Sequence, residues 1–151
     1  MDDDQFDDLL ALWRRWAAQG LKPIFHMGTP CSSFSRARDR SLRTKLRSTT
    51  HPWGLFHHPT TLLGNQFAMR SAFAVRVFLE LGGTGSIENP ASSYLWQVLD
   101  ELLPGVESTD VFYHQCRFQS PYKKPTRLRV WGDLDLSSLG RLCAPPIRNR
   151  R

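Results

Sequence analysis

The stretch KPIFHMGTPCSSFS, residues 22–35, contains the features that decide the fold of this chain. It opens with a short apolar run that ends at Gly28, a pattern typical of a buried β-strand. Pro30 and Cys31 follow almost at once, and two serines come next. Because ligands bind beyond the carboxyl ends of strands in open α/β sheets, Cys31 is predicted to lie in a functional turn.

Periodic patterns on both sides of this stretch predict alternating helices and strands. Apolar residues at helical spacing predict a first helix within residues 1–20, with Gly20 as its stop. The later segments predict, in order, a helix over Leu63–Leu81, a strand at Ser86–Glu88, a helix over Leu95–Leu102, and strands at 110–116 and 126–132. The resulting order, αβαβαββ, is typical of an α/β layered sheet, and we expect its strands to run mostly parallel.

The length of 151 residues is that of one domain. We expect a catalytic region over residues 1–132, which includes a basic loop over residues 35–60. The segment 133–151 is polar and broken by prolines, so a loosely ordered basic tail is expected there.

The charge pattern favours a polyanionic partner, with nucleic acid, DNA above all, as the first expectation. The formal net charge is +6, and five of the 14 acids lie among the first eight residues, which hold no lysine or arginine. The remainder therefore carries +11. No apolar stretch approaches the length of a membrane span, so no membrane partner is expected.

The chain has three cysteines, Cys31, Cys116 and Cys143, and no CxxC pair. A zinc site built from cysteines is therefore not expected, and no metal site is predicted. The odd number of cysteines and the lack of a signal peptide favour a reducing, intracellular compartment with free thiols, either nuclear or cytoplasmic. Cys116 and Cys143 are expected to be structural, as is His26 in its apolar strand.

Two predicted strand ends bring a thiol and a carboxylic acid together. Cys31 follows the first strand, whereas Glu88 and Asn89 end the second, so the two strand ends are expected to face one cleft, with the thiol and the carboxylic acid side by side. A thiolate can add to an electron-poor ring while an acid protonates a ring nitrogen. This pair therefore predicts covalent activation of a heterocycle.

Three motifs resemble those of the DNA cytosine-5 methyltransferases. GTPCSSFS at 28–35 resembles their catalytic Pro-Cys loop, and IENP at 87–90 resembles their Glu-Asn motif, with proline where valine is usual. FQSPYKKPTRLRV at 118–130 resembles their basic motif, and all three occur in the family's order across Lys22–Gly132. The resemblance implies the catalytic half of a Rossmann-like S-adenosylmethionine-dependent methyltransferase sheet.

The resemblance also implies a role for each matching residue. Cys31 attacks cytosine carbon 6, Glu88 contacts ring nitrogen 3 and the exocyclic amine, and Asn89 holds the loop geometry. Arg127 or Lys124 takes the place of the basic-motif arginine near the base. Pro30 and Ser32 belong to the substrate-binding loop, and the reaction requires a flipped or single-stranded base.

S-adenosylmethionine is the cofactor that the resemblance implies. The family binds it mainly on earlier strands with a Phe-x-Gly-x-Gly loop, and only one helix and one strand are predicted before Cys31. The chain is therefore expected to lack the N-terminal donor-binding strands and to be incomplete on its own. A missing upstream region or a complementing donor-binding subunit is the partner that this predicts.

The segment after Cys31 is rich in cations and is predicted to contact phosphates. It has six cations against the single acid Asp39. The cations are Arg36, Arg38, Arg40, Arg43, Lys45 and Arg47. Two alternatives stay open: a non-catalytic nucleic-acid-binding remnant, and a Cys–His hydrolase that uses His51, His57 or His58.

Overall fold

The computed structural model describes residues 3–143 and confirms a mixed α/β fold. The order of its helices and strands is the predicted αβαβαββ. The elements are α1 (Asp3–Ala18), β1 (Ile24–Gly28), α2 (Pro59–Glu80), β2 (Thr84–Pro90), α3 (Leu95–Leu102), β3 (Thr109–His114) and β4 (Pro125–Trp131). Short 3₁₀ helices cover Arg36–Arg40, Gln115–Phe118 and Ser137–Leu139.

The four strands form one sheet in the order β1-β2-β4-β3. β1 and β2 are parallel, whereas β4 is antiparallel to both β2 and β3. The expectation of a mostly parallel sheet is therefore wrong. The reason lies in the connection between β3 and β4, which contains only a short 3₁₀ turn and no crossover helix, so the chain returns antiparallel.

The main hydrophobic core lies between one face of the sheet and the three α-helices. Phe78 of α2 is at its centre, with its ring centroid 3.8 Å from that of Trp13 in α1 and 4.4 Å from that of Phe25 in β1. Ile87 of β2, Leu99 of α3 and Trp131 of β4 belong to the same buried cluster. All three α-helices pack on this one face, so the opposite face of the sheet is covered by other segments of the chain or is exposed.

β1 is an edge strand with only one covered face. Phe25 is buried, whereas Ile24 is 70% exposed and His26 is also exposed. The expectations of a buried strand and of a core histidine are thus wrong. Side chains alternate along a strand, and within residues 3–143 the α-helices pack on the face opposite to His26. The His26 ring instead shares a hydrogen bond with Ser86, with 2.9 Å between Nδ1 and Oγ.

Part of the expected loose tail is packed on this second face. Leu134, Leu136 and Leu139 contact a small buried cluster formed by Val111, Leu128 and Val130. Residues 133–143 are therefore packed against the sheet and are not the loosely ordered segment that was expected, because three leucines cover the apolar face of β3 and β4. The remainder of the predicted tail, 144–151, lies outside the described residues.

The tail also pairs two of the three cysteines. Cys116 and Cys143 form a disulfide, and Cys31 is the free cysteine. The expectation of free thiols is wrong for this pair. Two hydrogen bonds bring the tail to the end of β3: the amide of His114 donates to the Arg141 carbonyl, and the amide of Cys143 donates to the His114 ring.

Within residues 3–143 no helix is long and apolar enough to cross a membrane.

Candidate active site

The turn that carries Cys31 and the C-terminal end of β2 lie at the same end of the sheet, where the parallel strands β1 and β2 both finish. In the parallel ladder Gly28 of β1 is the partner of Glu88 of β2, and Cys31 comes three residues after Gly28. Cys31 is partly exposed, and its backbone carbonyl accepts hydrogen bonds from the amides of Phe34 and Ser35. The turn is therefore held in a compact form with its cysteine accessible.

Asn89 links this turn to β2. Its side chain is fully buried, and Nδ2 donates a hydrogen bond of 2.6 Å to the carbonyl of Thr29. The Thr29 hydroxyl in turn lies 3.0 Å from the hydroxyl of Ser71 in α2. Among the described residues the Oδ1 atom of Asn89 has no hydrogen-bond partner. The amide thus fixes the backbone just before Pro30 and Cys31.

Glu88 projects from the opposite face of β2 to Asn89, since neighbouring residues of a strand alternate. Its side chain is 24% exposed, but Oε1 is buried and has no hydrogen-bond partner within residues 3–143. The Lys124 Nζ lies 3.7 Å from Oε1. Tyr113 lies on the same face of the sheet as Glu88, since Val111 and Glu88 both pair with Leu128. Burial and the charge of Glu88 both raise the pKa of Tyr113.

A cavity of about 460 Å³ opens on the same face as Glu88. Leu128, the ladder partner of Glu88, lines it together with Tyr113 and His26. Phe118, Ser120, Gln115 and Leu139 complete the lining. A mostly apolar cavity beside a carboxyl group has the character of a small-ligand site.

The structure does not bring Arg127 to Glu88. Arg127 is the ladder partner of Asn89, so it shares the face of Asn89. There it forms a salt bridge with Asp110, and its guanidinium lies 4.7 Å from the ring centroid of Trp96. This corrects the catalytic assignment of Arg127. Of the two basic-motif candidates, Lys124 is the one that contacts Glu88, because Arg127 is held on the α3 face by Asp110 and Trp96.

Arg47, one of the six predicted phosphate-binding cations, is buried. It is 1% exposed, and its guanidinium lies 3.9 Å from the ring centroid of Phe34. Its nitrogens donate to the carbonyls of Ser33, Pro52 and Thr61 and to the side chains of Ser33 and Asn65. Burial lowers the pKa of Arg47 to about 10. This corrects its assignment: Arg47 holds the loop after Cys31 against α2.

The other five cations differ in their contacts. Arg40 and Arg43 are exposed, and Lys45 is half-buried. Arg38 donates to the carbonyl of Ser32 over 2.7 Å and so supports the Cys31 turn from outside. Arg36 is exposed and lies 4.8 Å from the ring centroid of Tyr94. Arg36, Arg40 and Arg43 therefore remain the cations most accessible to a phosphate.

Tyr94 connects the 3₁₀ helix Arg36–Arg40 to α3. Its hydroxyl donates a hydrogen bond of 2.7 Å to the carboxylate of Asp39, the single acid of the basic segment. Burial and this hydrogen bond raise the pKa of Tyr94. The carboxylate of Asp39 is therefore hydrogen-bonded to a buried tyrosine, which attaches the 3₁₀ helix to the core.

The histidines do not complete a Cys–His pair in the described chain. His51 interacts with the hydroxyls of Ser48 and Thr50, and His58 caps α2 by accepting from the amide of Thr60. Between residues 3 and 143 we found no hydrogen bond from the Cys31 thiol to a histidine. No group of three or more metal-ligating side chains occurs among the same residues.

Sequence reasoning did not identify Thr29, Ser71 or the structural role of Arg47. A hydroxyl directly before Pro-Cys was the available signal for Thr29. Nothing in the sequence distinguishes Arg47 from the five cations before it, except its position next to the apolar Leu46, which is also buried.

Comparison of the chain with protein-family models, curated proteins and solved structures found no match. The functional argument therefore depends on the residues themselves and on their arrangement.

Proposed function

We propose that this chain is the pyrimidine-activating region of a DNA cytosine-5 methyltransferase-like enzyme, in which Cys31 forms a covalent adduct with cytosine. One observation carries the proposal. The Gly28–Glu88 register and the bond from Asn89 to Thr29 join a thiol turn and a carboxyl group at one end of a parallel strand pair. A nucleophile and an acid on adjacent strand ends could act together on one bound heterocycle.

The proposed step is a reversible addition of a thiolate and a proton to the cytosine ring, without oxidation or reduction. The Cys31 thiol loses its proton to solvent, and the thiolate forms an Sγ–C6 bond. The π pair of the C5–C6 double bond then forms a C4–C5 double bond, and the π pair of the C4–N3 double bond moves onto ring nitrogen 3. Glu88 provides the proton that ring nitrogen 3 takes up, which activates carbon 5 as a nucleophile. Reversal breaks the Sγ–C6 bond and restores the aromatic ring.

The environment of Glu88 supports this role. Its Oε1 is buried without a hydrogen-bond partner in the described chain, so one acceptor site is available to a ligand. A buried carboxylate oxygen without a hydrogen bond is costly, and a bound ring with N–H groups would relieve that cost. Lys124 is 43% exposed, and its Nζ lies 3.7 Å from Oε1, which is near enough for an ion pair but too far for a hydrogen bond.

The described residues do not fit S-adenosylmethionine. β1 is the first strand, and the Cys31 turn follows it where a glycine-rich donor loop would be expected. The glycine-rich LGGTGS at 81–86 precedes and enters β2 instead of following a strand. The proposal is therefore confined to adduct formation, and no methyl-transfer step is assigned to these residues.

The free edge of β1 supports the expectation of a complementing donor-binding region. β1 is the terminal strand of the sheet, and no strand within residues 3–143 pairs with its outer edge. Unpaired edge groups can accept a further strand. A donor-binding subunit or upstream segment that adds strands here remains the proposed partner.

A second candidate is a nucleic-acid-binding module without catalysis. The exposed cations Arg36, Arg40 and Arg43 favour it, because they are available to phosphates whether or not Cys31 reacts. The two candidates differ only in the reactivity of the thiol.

Covalent capture separates them. An oligonucleotide containing 5-azacytosine is incubated with the chain, and the denatured product is analysed by intact mass. A Cys116→Ser/Cys143→Ser variant keeps Cys31 as its single thiol and serves as the matched control. We expect this variant to form the adduct and Cys31→Ser to form none. Binding without any capture favours the non-catalytic module, whereas capture that persists in Cys31→Ser contradicts the role of Cys31 as the nucleophile.

A further inference from the structure

The segment Gln115–Lys124, here called the β3–β4 loop, combines positive charge with exposed aromatic rings. It contains the cations Arg117, Lys123 and Lys124 and no acid. It also contains Phe118 and Tyr122, which are 41% and 75% exposed. None of these residues except Lys124 has a role in the proposed adduct chemistry.

The backbone of the β3–β4 loop has a defined conformation. The amide of Gln115 donates to the Lys124 carbonyl over 3.2 Å and closes the loop at its base. The amide of Ser120 donates to the Gln115 carbonyl, which ends the 3₁₀ helix, and Gln119 adopts a left-handed φ of 67°. The disulfide from Cys116 ties the loop to the tail. Its exposed rings are therefore presented from a supported backbone.

The two aromatic rings have different surroundings. Phe118 meets Tyr113 edge to face, with centroids 5.4 Å apart, and the Arg141 guanidinium lies 5.6 Å from its centroid. Tyr122 makes no ring contact with the rest of residues 3–143. A largely exposed aromatic beside cations offers a stacking face together with charge for a phosphate.

The β3–β4 loop also borders the proposed reaction site. Phe118 and Ser120 line the cavity on the Glu88 face, and Lys124 lies 3.7 Å from Glu88. The loop therefore lies next to the carboxyl group of the proposed reaction site.

We propose that the β3–β4 loop binds unpaired nucleotides, with Tyr122 stacking on a base and Arg117 and Lys123 contacting phosphates. The inference rests on the proposed function, because it names single-stranded nucleic acid as the substrate class of the same site. The bases of a duplex are already stacked and have no free face, whereas every unpaired base has one. The loop therefore gives the chain a preference for single strands.

The test is binding by fluorescence anisotropy to a labelled single-stranded DNA, the same sequence as RNA, and the DNA duplex. We expect Tyr122→Ser to weaken single-strand binding about tenfold and to leave duplex binding unchanged. Tyr122→Trp keeps a stacking ring and should restore wild-type affinity. Trp16→Ser, which removes a 41% exposed aromatic from the acidic helix α1, is the matched control and should have no effect.

The salt dependence of binding distinguishes the contribution of base stacking from that of phosphate contacts. Arg117→Gln/Lys123→Gln should lower the slope of log affinity against log salt by about 1.4 for a single strand, whereas Tyr122→Ser should leave the slope unchanged. Equal loss of single-strand and duplex binding in Tyr122→Ser, or no loss at all, overturns the inference. Comparison of the DNA and RNA arms tells which sugar the loop accepts.

The two proposals can fail separately. A wild-type chain that captures 5-azacytosine but binds duplex and single strand equally contradicts the role of the loop only. A chain that prefers single strands through Tyr122 but forms no adduct contradicts the proposed chemistry only.

Discussion

The side-chain amide of Asn89 holds the carbonyl of Thr29 with a hydrogen bond of 2.6 Å. This contact joins the end of β2 to the turn that presents Cys31, and Asn89 is only 1% exposed. The neighbouring Glu88 points to the other face of the sheet. Two consecutive residues of β2 thus differ in their surroundings: Asn89 fixes the Cys31 turn, and Glu88 is the residue that we propose as the acid.

The first prediction concerns Asn89. Asn89→Ala leaves the buried Thr29 carbonyl without its donor, so we expect the free energy of unfolding to fall by about 1–3 kcal/mol. The rate of 5-azacytosine capture should fall as well, because the turn loses its anchor. Denaturant unfolding and the capture rate measure the two effects.

Gln97→Ala is the matched control for this prediction. Gln97 also donates from a side-chain amide to a loop carbonyl, that of Thr49, over 3.2 Å. It lies on α3 away from the turn and should not change capture. Equal capture rates in Asn89→Ala and wild type, at a temperature where both are folded, would show that the turn does not depend on Asn89.

The second prediction separates the buried arginine from the exposed ones. Arg47→Met removes the donor from buried carbonyls and hydroxyls, and we expect a loss of about 3 kcal/mol in the free energy of unfolding. Arg43→Met, at an exposed position four residues earlier, should change it by less than about 0.5 kcal/mol. Thermal or denaturant unfolding of both variants checks this, and similar values for the two would contradict the buried role.

The third prediction concerns phosphate binding by the exposed cations. Arg40→Gln/Arg43→Gln should lower the slope of log affinity against log salt by about 1.8 on duplex DNA, because two phosphate contacts are lost. Anisotropy titrations between 50 and 200 mM salt would measure it. A slope equal to that of the wild type would mean that these side chains are merely solvated.

The sequence predicted the succession of elements well because each element has a strong local pattern. The helical stripe of α2 and the glycine stop after α1 are local signals, and so is the Gly-Thr-Pro-Cys turn after β1. Parallel pairing of β1 and β2 followed from the helix between them. Topology alone then places the Cys31 turn and Glu88 at the same end of the sheet, since both are at the carboxyl ends of these parallel strands.

The features that were missed depend on contacts between distant residues. Arg47 has the same charge as Arg43, and only its packing on Phe34 and α2 makes it structural. The face on which Arg127 lies depends on its register with Asn89, which no local pattern reveals. The Cys116–Cys143 pair, 27 residues apart, likewise requires the tail to fold back along β3.

The fourth prediction concerns that disulfide. Closing a loop of 27 residues should stabilise the fold by about 3.5 kcal/mol through the unfolded state. We therefore expect reduction to lower the free energy of unfolding by about 2–4 kcal/mol, and Cys31→Ser to show the same dependence. Denaturant unfolding with and without reductant measures it. Titration of three free thiols in the folded, unreduced chain would rule the pair out.

The most direct test of the central claim is hydrogen exchange at carbon 5 of cytosine. If the Cys31 thiolate adds to carbon 6, carbon 5 takes up a deuteron from D₂O, and elimination returns cytosine with deuterium in place of hydrogen. Mass spectrometry of the recovered nucleoside measures this without any methyl donor. The account predicts exchange with wild type and the Cys116→Ser/Cys143→Ser variant, slower exchange with Glu88→Gln, and none above background with Cys31→Ser. Exchange that is absent from a wild-type chain shown to bind the oligonucleotide, or that survives Cys31→Ser, would contradict it.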